Sequence, residues 1–226
     1  GGPVIVHCVT QKGFGYEAAL RDEADHWHQT KGFDPATGTP AANSGRTWTD
    51  VFSDALVAAG ERRPDLVALT AAMLGPTGLD RFAEAHPDRC FDVGIAEQHA
   101  VTAAAGMSHA GLTPIFAVYS TFFSRAFDQA NLDVGLHDEH VVFVLDRAGI
   151  TGQHGPSHHG VLDLSLCLRV PTMTVLAPSC GEDLRALLRT AIELDGPVAV
   201  RFPAGEVVTA AAMGLDGPGE GLASRR

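Results

Sequence analysis

Apolar residues come in short runs separated by stretches in which they recur every three or four positions. The runs VIVHCVT (4–10), LVALT (66–70), CFDVG (90–94), TPIFAVY (113–119), HVVFVLD (140–146), TMTVLAP (172–178) and VAVRF (198–202) read as strands. Between them, residues 48–62, 78–86, 96–110, 121–137 and 180–194 carry the spacing of amphipathic helices. Short apolar strands alternating with helices predict an α/β fold, a largely parallel sheet with helices on both faces. In the run FDVGIAEQHA the pattern reads Phe91, Val93 and Ile95 as buried, and it leaves Glu97 between a strand and an Ala-rich helix.

A polar stretch from Gln11 to Arg46 interrupts this regularity and is long for a connection inside one domain. It divides the chain into residues 1–44, a regular domain over 45–207, and a Gly/Ala-rich tail over 208–226 that reads as disordered. The formal net charge of −11 disfavours nucleic acid as a partner. No apolar run is long enough for a membrane span, and no secretory signal is visible at the start. Cys8, Cys90, Cys167 and Cys180 are widely spaced and form no CxxC pair, as in a reduced cytoplasmic protein. Neither GxxxxGK nor a GxGxxG between strand and helix occurs.

In open parallel sheets, ligands bind beyond the carboxyl ends of the strands. Four unusual segments fall there: 70–78, 94–100, 119–129 and 146–160. Glu97 reads either as a desolvated carboxylate that exchanges a proton with a ligand nitrogen or, more plainly, as a first-turn acid complementing a helix dipole. Tyr119, Phe122 and Phe123 offer faces for a flat heterocycle, or they are core. Arg125 and Asp128 are three residues apart, the spacing of a surface ion pair. Arg147 suits bidentate anion binding. His154, His158 and His159 offer acid–base groups near neutral pH. Their spacing fits no zinc pattern, so no metal site is assigned.

The segments DVGIAEQHA, YSTFFSRAFDQ, DRAGITGQHGPSHHGVLDLS and AVRFPAG together resemble the 1-deoxy-D-xylulose-5-phosphate synthase family, thiamine-diphosphate enzymes of the transketolase group. The resemblance runs from Val4 to Gly205. It implies that residues 4–40 are the end of a pyrophosphate-binding domain and that 45–205 are a pyrimidine-binding domain. Most of the family's first domain and its third domain would then lie outside the sequence, along with the ligands of Mg²⁺ and the diphosphate. The implied reaction condenses pyruvate with D-glyceraldehyde 3-phosphate, with loss of CO₂, towards isoprenoid precursors and thiamine. The implied partners are a pyrophosphate-binding domain, in the same or a separate chain, and a second copy of this one.

The resemblance also implies roles. Glu97 would hydrogen-bond a ring nitrogen of the cofactor's aminopyrimidine, and Phe122 would stack on that ring. Tyr119, Arg125 and Lys12 would line the cofactor site. His158 and His28 would lie near the reacting carbons, and Arg147 would bind the substrate phosphate. Two positions depart from the family pattern. His154 stands where an acid is usual, and Ala204 stands where Arg or Lys is usual. Losing a charge-assisted bond at 204 weakens the phosphate site by about 1.5–3 kcal/mol. The expectation is a fragment or split subunit, inactive alone. A non-catalytic module of the same fold, or a subunit of another two-chain transketolase-type enzyme, is the alternative.

Overall fold

Residues 45–214 are built around six short strands, the interior ones lined on both faces by apolar side chains. The computed structural model describes residues 2–23, 26–28, 30, 32–40, 45–152 and 154–214. The chain divides into two units, residues 1–44 and 45–226. In the first unit, a short helix α1 (Glu17–Arg21) lies near a cluster of Tyr16, Trp27 and Phe33, whose ring centroids are 4.8–5.6 Å apart. The expected strand at 4–10 does not form, and Val4, Ile5, Val6 and Val9 are exposed. An apolar run needs a neighbouring strand to satisfy its backbone groups, and none pairs with it among the described residues.

In the second unit, strands β1 (Leu66–Thr70), β2 (Cys90–Asp92), β3 (Thr113–Tyr119), β4 (Val142–Asp146), β5 (Thr174–Leu176) and β6 (Val198–Arg201) form one sheet. The order is β2-β1-β3-β4-β6-β5, and every pairing is parallel. The two-residue period of a strand sorts neighbouring side chains onto opposite faces. Leu66, Ala68, Ile115, Ala117, Val142 and Val144 enter one core with helices α2 (Trp48–Arg62) and α7 (Gly181–Glu193). Val67, Leu69, Phe116, Val118, Phe143 and Leu145 enter another with α4 (Glu97–His109). Shorter helices α3 (Asp80–Ala85), α5 (Phe127–Gln129) and α6 (Asp163–Cys167) complete the layers. The α/β expectation is met: an all-parallel sheet with helices on both faces.

Local chemistry explains where elements start and change. Thr47 and Asp50 cap α2 reciprocally, each side chain accepting the other's backbone N–H, at 3.1 and 2.8 Å. Strand β2 is short and at the sheet edge, so of the residues expected to be buried beside it only Val93 packs against the core, and it is half-buried. Phe91 is 39% exposed and Ile95 79%. The segment expected as one helix over 121–137 is instead a 3₁₀ helix (Ser120–Ala126), then α5, then a π turn (Ala130–Gly135). Gly135 lets the π turn lie against Val170 and Pro171, where a Cβ would come within 2.6 and 2.9 Å. The ordered chain continues past 208 through a 3₁₀ turn at Ala211–Met213, and the rest of the expected tail, 215–226, lies outside the described residues.

Candidate functional site

The chain leaves β1 towards β2 on one side of the sheet and leaves β3 towards β4 on the other. The direction of winding thus reverses between β1 and β3, and in open parallel sheets ligands bind beyond the carboxyl ends of the strands at such a point. Two non-glycine residues at this rim hold left-handed backbone, Ala72 (φ 58°) after β1 and Arg147 (φ 60°) after β4. Each N–H is held by an aspartate that ends a strand, Asp92 at 2.7 Å and Asp146 at 2.6 Å.

Glu97 is the first residue of α4 and is only 3% exposed. Its neighbour Ala96 supplies no side-chain cap. The partner of Glu97 is Arg125, whose Nη1–H donates to Oε1 at 2.7 Å. The expected pairing of Arg125 with Asp128 therefore gives way to a pairing across 28 residues. The cause is the 3₁₀ conformation of residues 120–126. At three residues per turn, positions three apart eclipse. Tyr119, Phe122 and Arg125 follow that spacing. The Arg125 guanidinium lies 4.5 Å from the Phe122 centroid. Phe122 and Tyr119 stack at 6.2 Å with planes 10° apart. Of the two phenylalanines considered at this rim, Phe123 is core and packs edge-on against Phe143.

Arg147 closes the other end of this row, its guanidinium 4.3 Å from the Tyr119 centroid. Nη1 donates to Asp146 at 2.5 Å and to Thr49 at 3.1 Å. Thr49 in turn donates to Asp146 at 2.8 Å. Nε is buried and has no hydrogen-bond partner among the described residues. Asp146 is fully buried. Burial pushes its carboxyl up to about 6, against the opposing pull of the Arg147 charge and the hydrogen bonds from Thr49 and Arg147. Burial also raises the Tyr119 hydroxyl, with Arg147 lowering it and Asp146 raising it.

The loop 147–160 is pinned at its base. Gly149 and Gly160 exchange backbone hydrogen bonds of 2.9 and 2.8 Å. Gly160 sits so close to Ser120 and the Arg147 carbonyl that a Cβ would lie 2.6 Å from that oxygen. Beyond it, buried Asp163 ties α6 to Arg201 at the end of β6, 2.8 Å from Nε. The loop presents His158 edge-on to Phe122 at 5.5 Å, with Nδ1 2.9 Å from the Ser157 hydroxyl. The His154 ring is 5.7 Å from that of His158. Burial first, then the charges of Arg147 and His158, hold His154 below the usual histidine range. No group of side chains among the described residues could hold a metal ion.

The fold thus brings six of the residues singled out from sequence into one contact row: Glu97, Arg125, Phe122, Tyr119, Arg147 and His158. Lys12 and His28 lie in the first unit, both exposed. Ala204 is exposed in the loop after β6. Asp146, Thr49, Asp163 and Arg201 were not assigned roles from sequence. Asp146 carried the same signal as Glu97, an acid closing an apolar strand; nothing in the sequence marks Thr49.

No helix among the described residues is long and apolar enough to cross a membrane. The family described as "Transketolase, pyrimidine binding domain" matches residues 44–208. Proteins named 1-deoxy-D-xylulose-5-phosphate synthase from Frankia casuarinae and Saccharopolyspora erythraea are 57% and 56% identical over 92% of the chain. One from Streptomyces coelicolor, named 1-deoxy-D-xylulose-5-phosphate synthase 2, is 54% identical over the same share. The chain spans about a third of their length, 32–33%. Among solved structures, one described as "Split gene transketolase, inactive beta4 tetramer" aligns with TM-score 0.63 and 32% identity, over 72% of this chain and 53% of that one. Campylobacter jejuni transketolase aligns with TM-score 0.64 at 19% identity, over 74% of this chain and 27% of that one, a likeness of fold. With a match that takes in the whole six-stranded sheet, the chain belongs to the transketolase pyrimidine-binding domain family, among relatives named 1-deoxy-D-xylulose-5-phosphate synthase.

Proposed function

We propose that this chain supplies the pyrimidine half of the thiamine-diphosphate site of a 1-deoxy-D-xylulose-5-phosphate synthase. The observation that carries the reading is the cradle formed by Glu97 and Phe122. A nearly buried carboxylate and an aromatic face together hold a flat N–C–N group, the Arg125 guanidinium. An aminopyrimidine presents the same elements, a flat π surface edged by nitrogens, so the donor set fits. When bound, thiamine diphosphate supplies a carbon nucleophile for decarboxylating pyruvate and joining the remaining two carbons to D-glyceraldehyde 3-phosphate.

In this reading Glu97 holds a proton against a ring nitrogen and Phe122 stacks on the ring. Tyr119 and Arg125 line the same pocket; Lys12, in residues 1–44 read as the end of a pyrophosphate-binding domain, is a separate cofactor residue of the proposed enzyme. Arg147 offers its guanidinium to a substrate phosphate, while Asp146 and Thr49 hold its Nη1. His158 exchanges protons near the reacting carbons, and His28, in the first unit, is a further acid–base residue of the proposed enzyme. Ala204 offers no cation to the phosphate. His154, held below the usual histidine range by burial and by the charges of Arg147 and His158, stands where the family pattern has an acid. Mg²⁺ and the diphosphate are held by residues outside this chain, so the site is completed by a pyrophosphate-binding domain in a homo-oligomer or a partner chain. The four free cysteines fit a cytoplasmic enzyme. The inactive tetramer named for the split-gene transketolase supports inactivity of such a chain alone.

Turnover tests this. With pyruvate, D-glyceraldehyde 3-phosphate, thiamine diphosphate and Mg²⁺, the chain alone forms no product. Adding a chain that carries a pyrophosphate-binding domain yields 1-deoxy-D-xylulose 5-phosphate, and Glu97→Ala lowers that rate by at least about a hundredfold. Turnover by the unaccompanied chain, or an unimpaired Glu97→Ala, overturns the reading.

A further inference from the structure

We propose that Arg125 is a built-in stand-in for the pyrimidine. It occupies the Glu97–Phe122 cradle when the cradle holds no ligand and must swing out for one to enter. The inference rests on the reading of that cradle as a pyrimidine site and adds what controls entry to it.

The geometry gives Arg125 both contacts that a flat nitrogen heterocycle would need. One Nη–H donates to Glu97 Oε1 at 2.7 Å, and the guanidinium carbon lies 4.5 Å from the Phe122 centroid. The Arg125 side chain is 46% exposed while Glu97 is 3% exposed, so the arginine covers the carboxylate from the solvent side. A carboxylate this buried is costly without a partner. Among the described residues, Arg125 is the side chain that hydrogen-bonds it, and Glu97 is the acceptor that Arg125 meets. The stand-in is thus self-contained. Withdrawing it breaks one ion pair and one cation–π contact and leaves the Asp146–Arg147–Tyr119 end of the row intact.

A guanidinium and an aminopyrimidine cannot lie on the same face of Phe122, within hydrogen-bond reach of Glu97, at once. Apparent affinity is reduced by the fraction of molecules whose site is open. The arginine end of the pair is half-exposed, which weakens its hold, so a closed fraction of about nine in ten, and a tenfold loss of apparent affinity, is the expected scale.

The test uses the full chain and the fragment 4-amino-5-hydroxymethyl-2-methylpyrimidine, titrated by calorimetry and followed by NMR of the arginine side-chain N–H groups. In the native chain, the Arg125 signal is shifted by its pairing with Glu97, moves in Glu97→Gln, and returns to a solvent-like position as fragment binds. Arg125→Met binds the fragment about tenfold more tightly than the native chain. Arg125→Lys, which keeps the charge but not the flat N–C–N face, falls between. Circular dichroism confirms that each variant is folded. Weaker or unchanged fragment binding by a folded Arg125→Met overturns the stand-in, as does an Arg125 signal that stays paired in the saturated complex. Either result leaves the pyrimidine site itself standing. Failure of the native chain and all variants to bind the fragment overturns both.

Discussion

Asp146 offers the sharpest quantitative test of the rim. Its carboxylate is fully buried, accepts from Thr49 and twice from Arg147, and still titrates near 6 because burial outweighs these partners. Each tenfold change in a protonation constant is worth about 1.4 kcal/mol, so raising the carboxyl from 3.8 to about 6 amounts to about 3 kcal/mol. The sign follows from linkage. Between these values the folded chain binds more protons than the unfolded one, so stability falls as pH rises and levels off above about 6. Asp146→Asn keeps the shape and removes the titration. The amide also bonds Thr49 and Arg147 differently from the carboxyl, so the test lies in how the difference changes with pH, not in its absolute size. Urea unfolding of both proteins from about pH 4 to about pH 7 isolates the effect, because other titrating groups are shared and cancel in the difference. Over this window the difference should move towards the variant by about 2–2.5 kcal/mol as pH rises, most of the full amount. No movement, or movement towards the native chain, would refute the reasoning and show that the Arg147 charge, not burial, governs Asp146.

Asp65 should behave in the opposite sense. Arg63 and Thr113 hold its carboxyl down to about 2, so its contribution is present above 3.8 and lost as pH falls through about 2. Asp65→Asn should cost about 1 kcal/mol at neutral pH, and urea unfolding in acid should show that difference shrinking. Gly160→Ala should destabilise by about 1–3 kcal/mol, because its Cβ would press on Ser120 and the Arg147 carbonyl; a thermal midpoint equal to the native one would contradict this. Alkylation followed by mass spectrometry should label exposed Cys8 quickly. Cys90, pushed up to about 11 by burial and Asp92, and Cys167, pushed up to about 12 by burial and Asp163, should label only slowly in the native state.

The interior strands were legible in the sequence because burial on both faces writes unbroken apolar runs, as in Ile115–Val118 and Val142–Leu145. The errors fell where that signal carries no information about partners. VIVHCVT has the composition of a strand but pairs with no strand among the described residues, while Phe91 and Ile95 are apolar yet sit at an edge. Tyr119, Phe122 and Arg125 were legible as candidates from their place after a strand. Their mutual stacking was not, because it depends on 3₁₀ winding that composition does not distinguish from an α-helix. Glu97 stood out as an acid beside apolar residues, and Asp146 had the same mark. Asp163 and Arg201 did not, since a pairing across 38 residues leaves no local trace.

The alternation that splits the interior into two cores has a consequence for the rim. By strand parity Tyr119 belongs to the face of Ile115 and Ala117, and Thr49 rides on the helix packed there. Phe122 rests on the other face, and Glu97 heads the helix that covers it. The row from Arg147 through Tyr119 and Phe122 to Arg125 and Glu97 therefore wraps around the end of the sheet like a stitch between two sheets of cloth. A substitution that shifts either slab by a fraction of an ångström displaces one anchor of the row and not the other. The geometry at the rim thus reports on how the two halves of the interior are held against each other.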